Sequence, residues 1–244
     1  MTPREVGRAE QRCDLYRRAL DVVVSVLLVL IVVPVIIVAA LGSWLSLRAW
    51  PFFVQERVGK NGRPFRFVKV RTLPPSFPTY ADKHQLGQAH IPGFCRGLRR
   101  LHLDELPQLL LVVRGRMSLV GPRPEMAPLH ERLSPAFAEL RTSTRPGCTG
   151  LWQVSEACSD LIGDAPQYDR FYLANRTLRL DLWVLGRTAL NMLGFERRVA
   201  LDDVPRWVLR ADHATQLIDL RDVLDLDQDR AEADAHSLNP ATTI

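Results

Sequence analysis

The chain has 244 residues, of which 47% are hydrophobic and 24% charged, with a formal net charge of +5. That length suits one domain with appendages, and that composition excludes a wholly disordered chain. Four cysteines without a CxxC pair and six histidines without an HxxxH pair exclude a zinc or disulfide framework of the usual spacing and fit free thiols in a reducing compartment.

The first element in chain order is the run Val22 to Leu47, 26 residues without a charge, where roughly 20 are enough to cross a bilayer. A signal peptide has a shorter apolar core and a small-residue cleavage site, neither of which is present. A single spanning helix with interfacial Trp44 and Trp50 is one reading. Basic residues flank both ends, however: Arg12, Arg17 and Arg18 before, and Arg48, Arg57, Lys60, Arg63, Arg66, Lys69 and Arg71 after. The positive-inside rule conflicts with itself for a spanning helix and agrees with a segment that enters and leaves on the cytoplasmic face. Pro34, which lacks an N–H and crowds the preceding turn, is the expected break of such a re-entrant helix.

Phe52 to Thr72 follows as two Val/Phe-rich runs around Gly59-Lys60-Asn61-Gly62, which predicts a β-hairpin. On a second strand through Phe65 to Arg71, the period of two puts Lys69 and Arg71 on one face, suited either to a phosphate or to anionic lipid. Pro74 to Gly93 reads as a loop. Leu98 to Val113 predicts a helix stopped by Gly115, and Ser134-Pro135 predicts the start of another that runs to about Arg141. Arg145 to Val154 reads as a turn and a short strand or loop. Tyr168 to Leu193 is again helical, with Leu178, Leu182, Leu185, Ala189 and Leu193 as an apolar stripe for the core or for a membrane interface. From Val199 onward ten acids against four arginines give net −6, leaving +11 for the rest. This acidic end reads as a short helix followed by disorder.

The chemistry concentrates in Arg99 to Met126, RRLHLDELPQLLLVVRGRMSLVGPRPEM. Asp104 and Glu105 open a helical segment in which Pro107 is tolerated in the first turn, and there the backbone can aim both carboxylates at one small volume. One carboxylate could then be a nucleophile while the other holds a divalent cation. A plain N-cap and a macrodipole contact would explain the same pair. The neighbours favour chemistry: Arg99 and Arg100 lie just upstream, and Arg123 is held between Pro122 and Pro124. A guanidinium presents a planar fork of donors to phosphate oxygens, and flanking prolines reduce the entropy of placing it.

In order along the chain, YRRALDVVVS with the Pro34-containing run, FFVQERVGKNGRPFRFVKVRT, LRRLHLDELPQL, RGRMSLVGPRPE, RPGCTGLWQV and YDRFYLANRTLRLDLWVL resemble the bacterial sugar transferases, the small monotopic phosphoglycosyl transferases. The match covers roughly Asp14 to Leu193. The resemblance implies an α+β, mainly helical fold: a re-entrant membrane helix, a short β-hairpin, and amphipathic interfacial helices around a small catalytic core. The divisions expected are a basic segment 1–20, the membrane helix 21–48, a cytosolic catalytic domain 49–195 and an acidic, partly disordered extension 196–244.

The resemblance further implies transfer of a sugar-1-phosphate from a UDP-sugar to polyprenyl phosphate at the cytoplasmic face of the bacterial inner membrane. Asp104 would be the nucleophile, Glu105 would help hold Mg²⁺, and Lys69, Arg71, Arg99 and Arg123 would contact phosphates and nucleotide. Membrane lipid is an expected partner, a homodimer is left open, and nucleic acid is not expected. KVRTL where the family favours KFRTM, Val33-Pro34 where Ser-Pro is usual, and Cys95-Arg96-Gly97 for Gly-Arg-Phe are departures that keep the charged chemistry. Two rivals share these residues: a membrane-bound phosphohydrolase that gives the phosphosugar to water, and an inactive scaffold of a glycan assembly complex.

Overall fold

The computed structural model describes residues 3–79, 91–195 and 198–209, with side chains from residue 14 onward. Helix α1 runs from Pro3 to Leu47 with Pro34 inside it, so residues 1–20 and 21–48 are not separated by a break in helical structure. From Asp14 to Leu47 it is long and apolar enough to cross a membrane by length and composition. Its apolar residues surround the helix, as befits a segment between protein and lipid. One face, marked by Arg17, Asp21, Ser25, Val29, Val32, Ala39 and Ser43 at helical spacing, packs on the rest of the chain. The other leaves Val23, Leu27, Leu30, Ile31, Ile37, Val38 and Leu41 exposed.

The predicted hairpin is present. Strands β1 (Phe52–Val58) and β2 (Pro64–Val70) pair antiparallel, with Phe52 opposite Val70 and Val58 opposite Pro64. Asn61 at φ 56° and Gly62 at φ 71° turn the chain between them, a region open to Asn and Gly at little steric cost. A second sheet is parallel and very short: β3 (Ser118–Val120) beside β4 (Gly147–Thr149). A Cβ on Gly147 would lie 2.2 Å from the Gly121 nitrogen, so only glycine permits this approach. Around the sheets pack α2 (Gly93–Arg100), α3 (Leu109–Val113), α4 (Ala127–His130), α5 (Pro135–Thr142), α6 (Leu151–Val154), α7 (Pro166–Ala174) and α8 (Leu178–Met192). Phe67, Val112, Met117, Leu151, Tyr172, Leu180 and Val184 form the main core, an α+β, mainly helical arrangement as expected.

Two segments differ from the sequence reading. Leu98 to Val113 is not one helix: α2 stops at Arg100, His102 turns left-handed at φ 54°, and a 3₁₀ turn spans Leu103–Gln108 before α3. Pro107 explains part of this, because its ring disfavours α geometry at Leu106. The stretch from Tyr168 to Leu193 is two helices, parted at Asn175 and restarted by Thr177, whose hydroxyl accepts from the Leu180 N–H. The stripe on α8 faces outward at Leu178, Leu182 and Leu193, while Leu180 and Val184 face the core. Expectations for residues 80–90 of the loop and for 210–244 of the acidic extension fall outside the described residues.

Candidate active site

Asp104 and Glu105 lie in the first turn of the 3₁₀ segment. The site's shape follows from how that turn is made. The Glu105 N–H donates to the His102 carbonyl, and His102 holds a positive φ that few residues other than Gly adopt, His being one of the more tolerant. Neither acid caps a helix: the capping position is His102, and no side-chain cap bond forms. The N-cap explanation of the pair is thereby removed.

The two neighbours have opposite electrostatics. Asp104 is buried, 5% exposed, and among the described residues it accepts no hydrogen bond and makes no ion pair. Burial and the Glu105 charge push its pKa from the ordinary 3.8 up to about 6, against the pull of Lys69, Arg99 and His102. Burial would raise Glu105 too, but the Arg123 charge and hydrogen bond, with Lys69 and His102, outweigh it and hold Glu105 at about 2. The bond runs from Arg123 Nη2 to Glu105 Oε1 at 2.9 Å. Glu105 thus stays charged near neutral pH, while Asp104 titrates within reach of it.

Of the four predicted cationic residues, the structure gathers three around the dyad. Arg123 bonds Glu105. Lys69, on β2, sits with its ammonium 5.3 Å from the Phe53 ring centre; burial lowers its pKa, while Glu105 and Asp104 raise it. Arg99, at the end of α2, donates to the buried Thr72 hydroxyl at 3.3 Å and is among the charges acting on Asp104. Arg71 is not brought into the cluster. Its Nε donates to the Trp50 carbonyl at 2.9 Å, and its guanidinium lies 5.7 Å from the same Phe53 ring.

The Gly-Pro-Arg-Pro corner is held through its carbonyls, because two of its residues have no N–H to offer. Pro122 accepts from the Gly147 N–H at 2.9 Å, Arg123 from Arg141 Nη2 at 2.7 Å, Pro124 from Arg57 Nη1 at 2.8 Å, and Glu125 from the Val58 N–H at 2.9 Å. Arg141 is fixed in turn by Asp169 at 2.7 Å, a pair 4% and 2% exposed. Arg57, Arg141 and Asp169 went unassigned in the sequence. Asp169 lies in the YDRFY stretch, which carries the resemblance, but nothing in its spacing says which arginine it holds.

The donor set suits a divalent cation bound with its substrate. Among the described residues no three His, Cys, Asp or Glu side chains form a cage. A small hard cation such as Mg²⁺ needs only one or two carboxylates plus substrate phosphates. Asp104 and Glu105 provide such a pair, and their mutual repulsion is what that cation would relieve.

The family model described as bacterial sugar transferase matches residues 12–195. The chain is 36% identical over 189 residues to the UDP-glucose:undecaprenyl-phosphate glucose-1-phosphate transferase of Caulobacter vibrioides, covering 74% of this chain and 70% of the relative. It is 30% identical over 202 residues to the exopolysaccharide production protein ExoY of Sinorhizobium fredii, covering 76% and 89%. It is 30% identical over 189 residues to a UDP-N-acetylgalactosamine-undecaprenyl-phosphate N-acetylgalactosaminephosphotransferase of Aeromonas hydrophila, covering 75% and 45%. With the dyad, its arginines and a family match over three quarters of its length, the chain belongs to the bacterial sugar transferase family.

Proposed function

We propose that this enzyme transfers a sugar-1-phosphate from a UDP-sugar to undecaprenyl or a similar polyprenyl phosphate, beginning a surface polysaccharide such as an exopolysaccharide, capsule or O-antigen. The observation that carries the reading is the split dyad: one buried acid without a hydrogen bond among the described residues beside one locked to Arg123. An oxygen of ionised Asp104 attacks the β-phosphorus of the UDP-sugar. The bond from that phosphorus to the bridging oxygen breaks, UMP leaves with the oxygen, and the phosphosugar remains as an acyl phosphate on Asp104. A phosphate oxygen of the polyprenyl acceptor then attacks the same phosphorus and frees Asp104.

Arg123, Arg99 and Lys69 supply positive charge where the diphosphate must sit, with Arg123 already oriented by its corner. Glu105, with one oxygen in the Arg123 bond, keeps another for Mg²⁺, and Asp104 is the second candidate ligand. A bound Mg²⁺ would supply charge neutralisation on the diphosphate.

The anchoring reading also has structural support. The run contacts the rest of the chain near both ends: Asp21 accepts from the Ser118 hydroxyl at 2.7 Å, and the Ser43 hydroxyl donates to the Arg71 carbonyl. Those residues are 22 apart, about 33 Å along a straight helix, which is the thickness of the hydrocarbon core. A spanning orientation would carry polar parts of the domain into or across lipid. We therefore hold that the run enters and leaves on the cytoplasmic face of the inner membrane; Pro34, inside an unbroken helix here, is where a bend would cost least once lipid is present.

The test is a half-reaction. UDP-glucose, UDP-galactose and their N-acetylated forms are each incubated with enzyme and Mg²⁺ without acceptor. The correct donor releases UMP to at most one equivalent and adds a phosphosugar mass to the peptide containing Asp104, and Asp104→Asn does neither. Continuous UMP release without acceptor would identify the hydrolase, and a normal rate in Asp104→Asn would refute the dyad assignment.

A further inference from the structure

A second charged cleft lies where the basic start of α1 meets the domain, and the transfer chemistry does not use it. It is lined by Asp14, Arg17, Arg18 and Asp21 of α1, Lys60 of the hairpin turn, Ser118 of β3, Thr144 and Arg145 before β4, and Arg176 between α7 and α8. Five cations face two carboxylates there. Those carboxylates are engaged: Asp21 accepts from the Ser118 hydroxyl and the Leu119 N–H, and Asp14 pairs with Arg176 at 3.2 Å. The arginines are engaged as well, and the lysine is not. Arg18 spends its donors on the carbonyls of Val112 and Val113 at the end of α3, and Arg145 Nε on Gly115. Lys60 has no side-chain partner among the described residues.

The decisive residue is Arg17. It is 6% exposed and ion-paired through Nη2 with Asp181 at 3.6 Å, but its buried Nε and Nη2 make no hydrogen bond among the described residues. The Thr144 hydroxyl, of a residue on the same lining, is also buried without a hydrogen bond among the described residues. Donors held without hydrogen bonds beside a cleft of net positive charge favour an acceptor of several bonds. A tetrahedral oxyanion has the required charge and lone pairs, and a guanidinium fork matches it.

We propose that this cleft is a phosphate-binding site separate from the catalytic dyad, formed by Arg17, Lys60, Thr144 and Arg145. The charges that act most on Asp104 and Glu105 are Lys69, Arg99, Arg123 and His102, and none of them lines this cleft. The ligand is a phosphate group, either free or carried on a lipid, since exposed apolar residues of α1, Leu15 before and Val23 after, lie within two turns of Arg17. The proposal does not depend on the transfer reaction, and its failure would leave the dyad untouched.

Equilibrium binding of inorganic phosphate and of dihexanoyl phosphatidic acid to the full-length, detergent-solubilised protein tests it, in wild type, Lys60→Gln, Arg17→Lys and Arg123→Gln. Lys60→Gln removes an exposed charge at a hairpin turn and keeps the fold and the UMP half-reaction. Arg17→Lys keeps the charge opposite Asp181 but loses the fork. Each is expected to weaken one class of phosphate binding about tenfold, the effect of one charge-assisted bond, while Arg123→Gln retains that class. Tighter binding of the short-chain lipid, in competition with phosphate, assigns a lipid headgroup; equal binding assigns a free anion. Unchanged affinity in both Lys60→Gln and Arg17→Lys, or loss in Arg123→Gln alone, overturns the proposal.

Discussion

Two segments meet at the bond between Arg123 and Glu105, and they are built on opposite terms. In the corner from Gly121 to Glu125, four successive carbonyls each accept a hydrogen bond from another element, and the arginine that serves one of them is itself in a buried ion pair. In the turn from Leu101 to Gln108, a non-glycine residue holds a positive φ and a buried carboxylate has no hydrogen bond among the described residues. The satisfied segment is a template that places a guanidinium. The unsatisfied one keeps a carboxylate, the proposed nucleophile, desolvated and of raised pKa, a cost that functional sites tolerate when the surroundings hold the geometry. The contrast makes opposite demands on mutation: changes in the corner should weaken the fold, and the right change in the turn should strengthen it.

The corner should show the largest effect. Arg141→Met leaves Asp169 buried without its partner and removes the bond to the Arg123 carbonyl, for which a loss of about 3–5 kcal/mol is expected. Chemical denaturation of the solubilised protein measures it. Arg141→Lys should keep part of the stability and still slow the UMP half-reaction, since a single ammonium cannot serve both Asp169 and Arg123 in the fork geometry. Equal activity in Arg141→Lys and wild type would show that the corner does not need the fork.

The turn should respond with the opposite sign. Asp104 binds its proton more tightly folded than unfolded, so its contribution to stability is full below about pH 4 and is lost as pH rises through about 6. Asp104→Asn should therefore stabilise the protein above pH 6, by up to about 3 kcal/mol, and make little difference at pH 4. Thermal unfolding at several pH values reads this directly. The same titration should lower the rate of adduct formation as pH falls below about 6. A pH-independent difference between Asp104→Asn and wild type would mean that the carboxylate is not held at a raised pKa.

Glu105 gives the mirror image at smaller scale. Its folded pKa lies below the ordinary 4.5, at about 2, so its contribution is present above that ordinary value and fades as pH falls toward 2. Glu105→Gln should destabilise at neutral pH by about 1–2 kcal/mol, the range of a hydrogen bond to a charged group that is not fully buried. The loss should be shared with Arg123→Gln in a double-mutant cycle, and strict additivity of the two would show that they do not interact.

Much of this was legible in the sequence, and the division has physical reasons. The hairpin was readable because Gly59 to Gly62 is local turn chemistry, and the dyad drew notice only through its company, Arg99, Arg100 and the proline-held Arg123. The break at His102 was not readable: its left-handed backbone is allowed to histidine but not demanded by it. Nor were the roles of Arg57, Arg141 and Asp169, since each acts across a long stretch of chain through a carbonyl or a buried pair. The stripe on α8 left core and membrane interface both open for a related reason. Periodicity finds a face but not what the face meets, and in this helix the core took Leu180 and Val184 instead.

Arg71 gives the smallest effect and separates strand pattern from placement. The period of two correctly puts it on the face of Lys69, and both side chains share the Phe53 ring. Only Lys69 reaches the acids, because β2 ends at Val70 and Arg71 turns back to the Trp50 carbonyl. Its exposed bond and ring contact are worth about 0.5–1 kcal/mol together. Arg71→Gln should therefore change stability within that range and alter the UMP half-reaction by no more than about threefold, where Lys69→Gln should cost more than tenfold by removing a cation that acts on both carboxylates. Parallel rate measurements on the two variants decide the matter. A loss in Arg71→Gln as large as in Lys69→Gln would mean that the guanidinium leaves Trp50 for the nucleotide once substrate is bound.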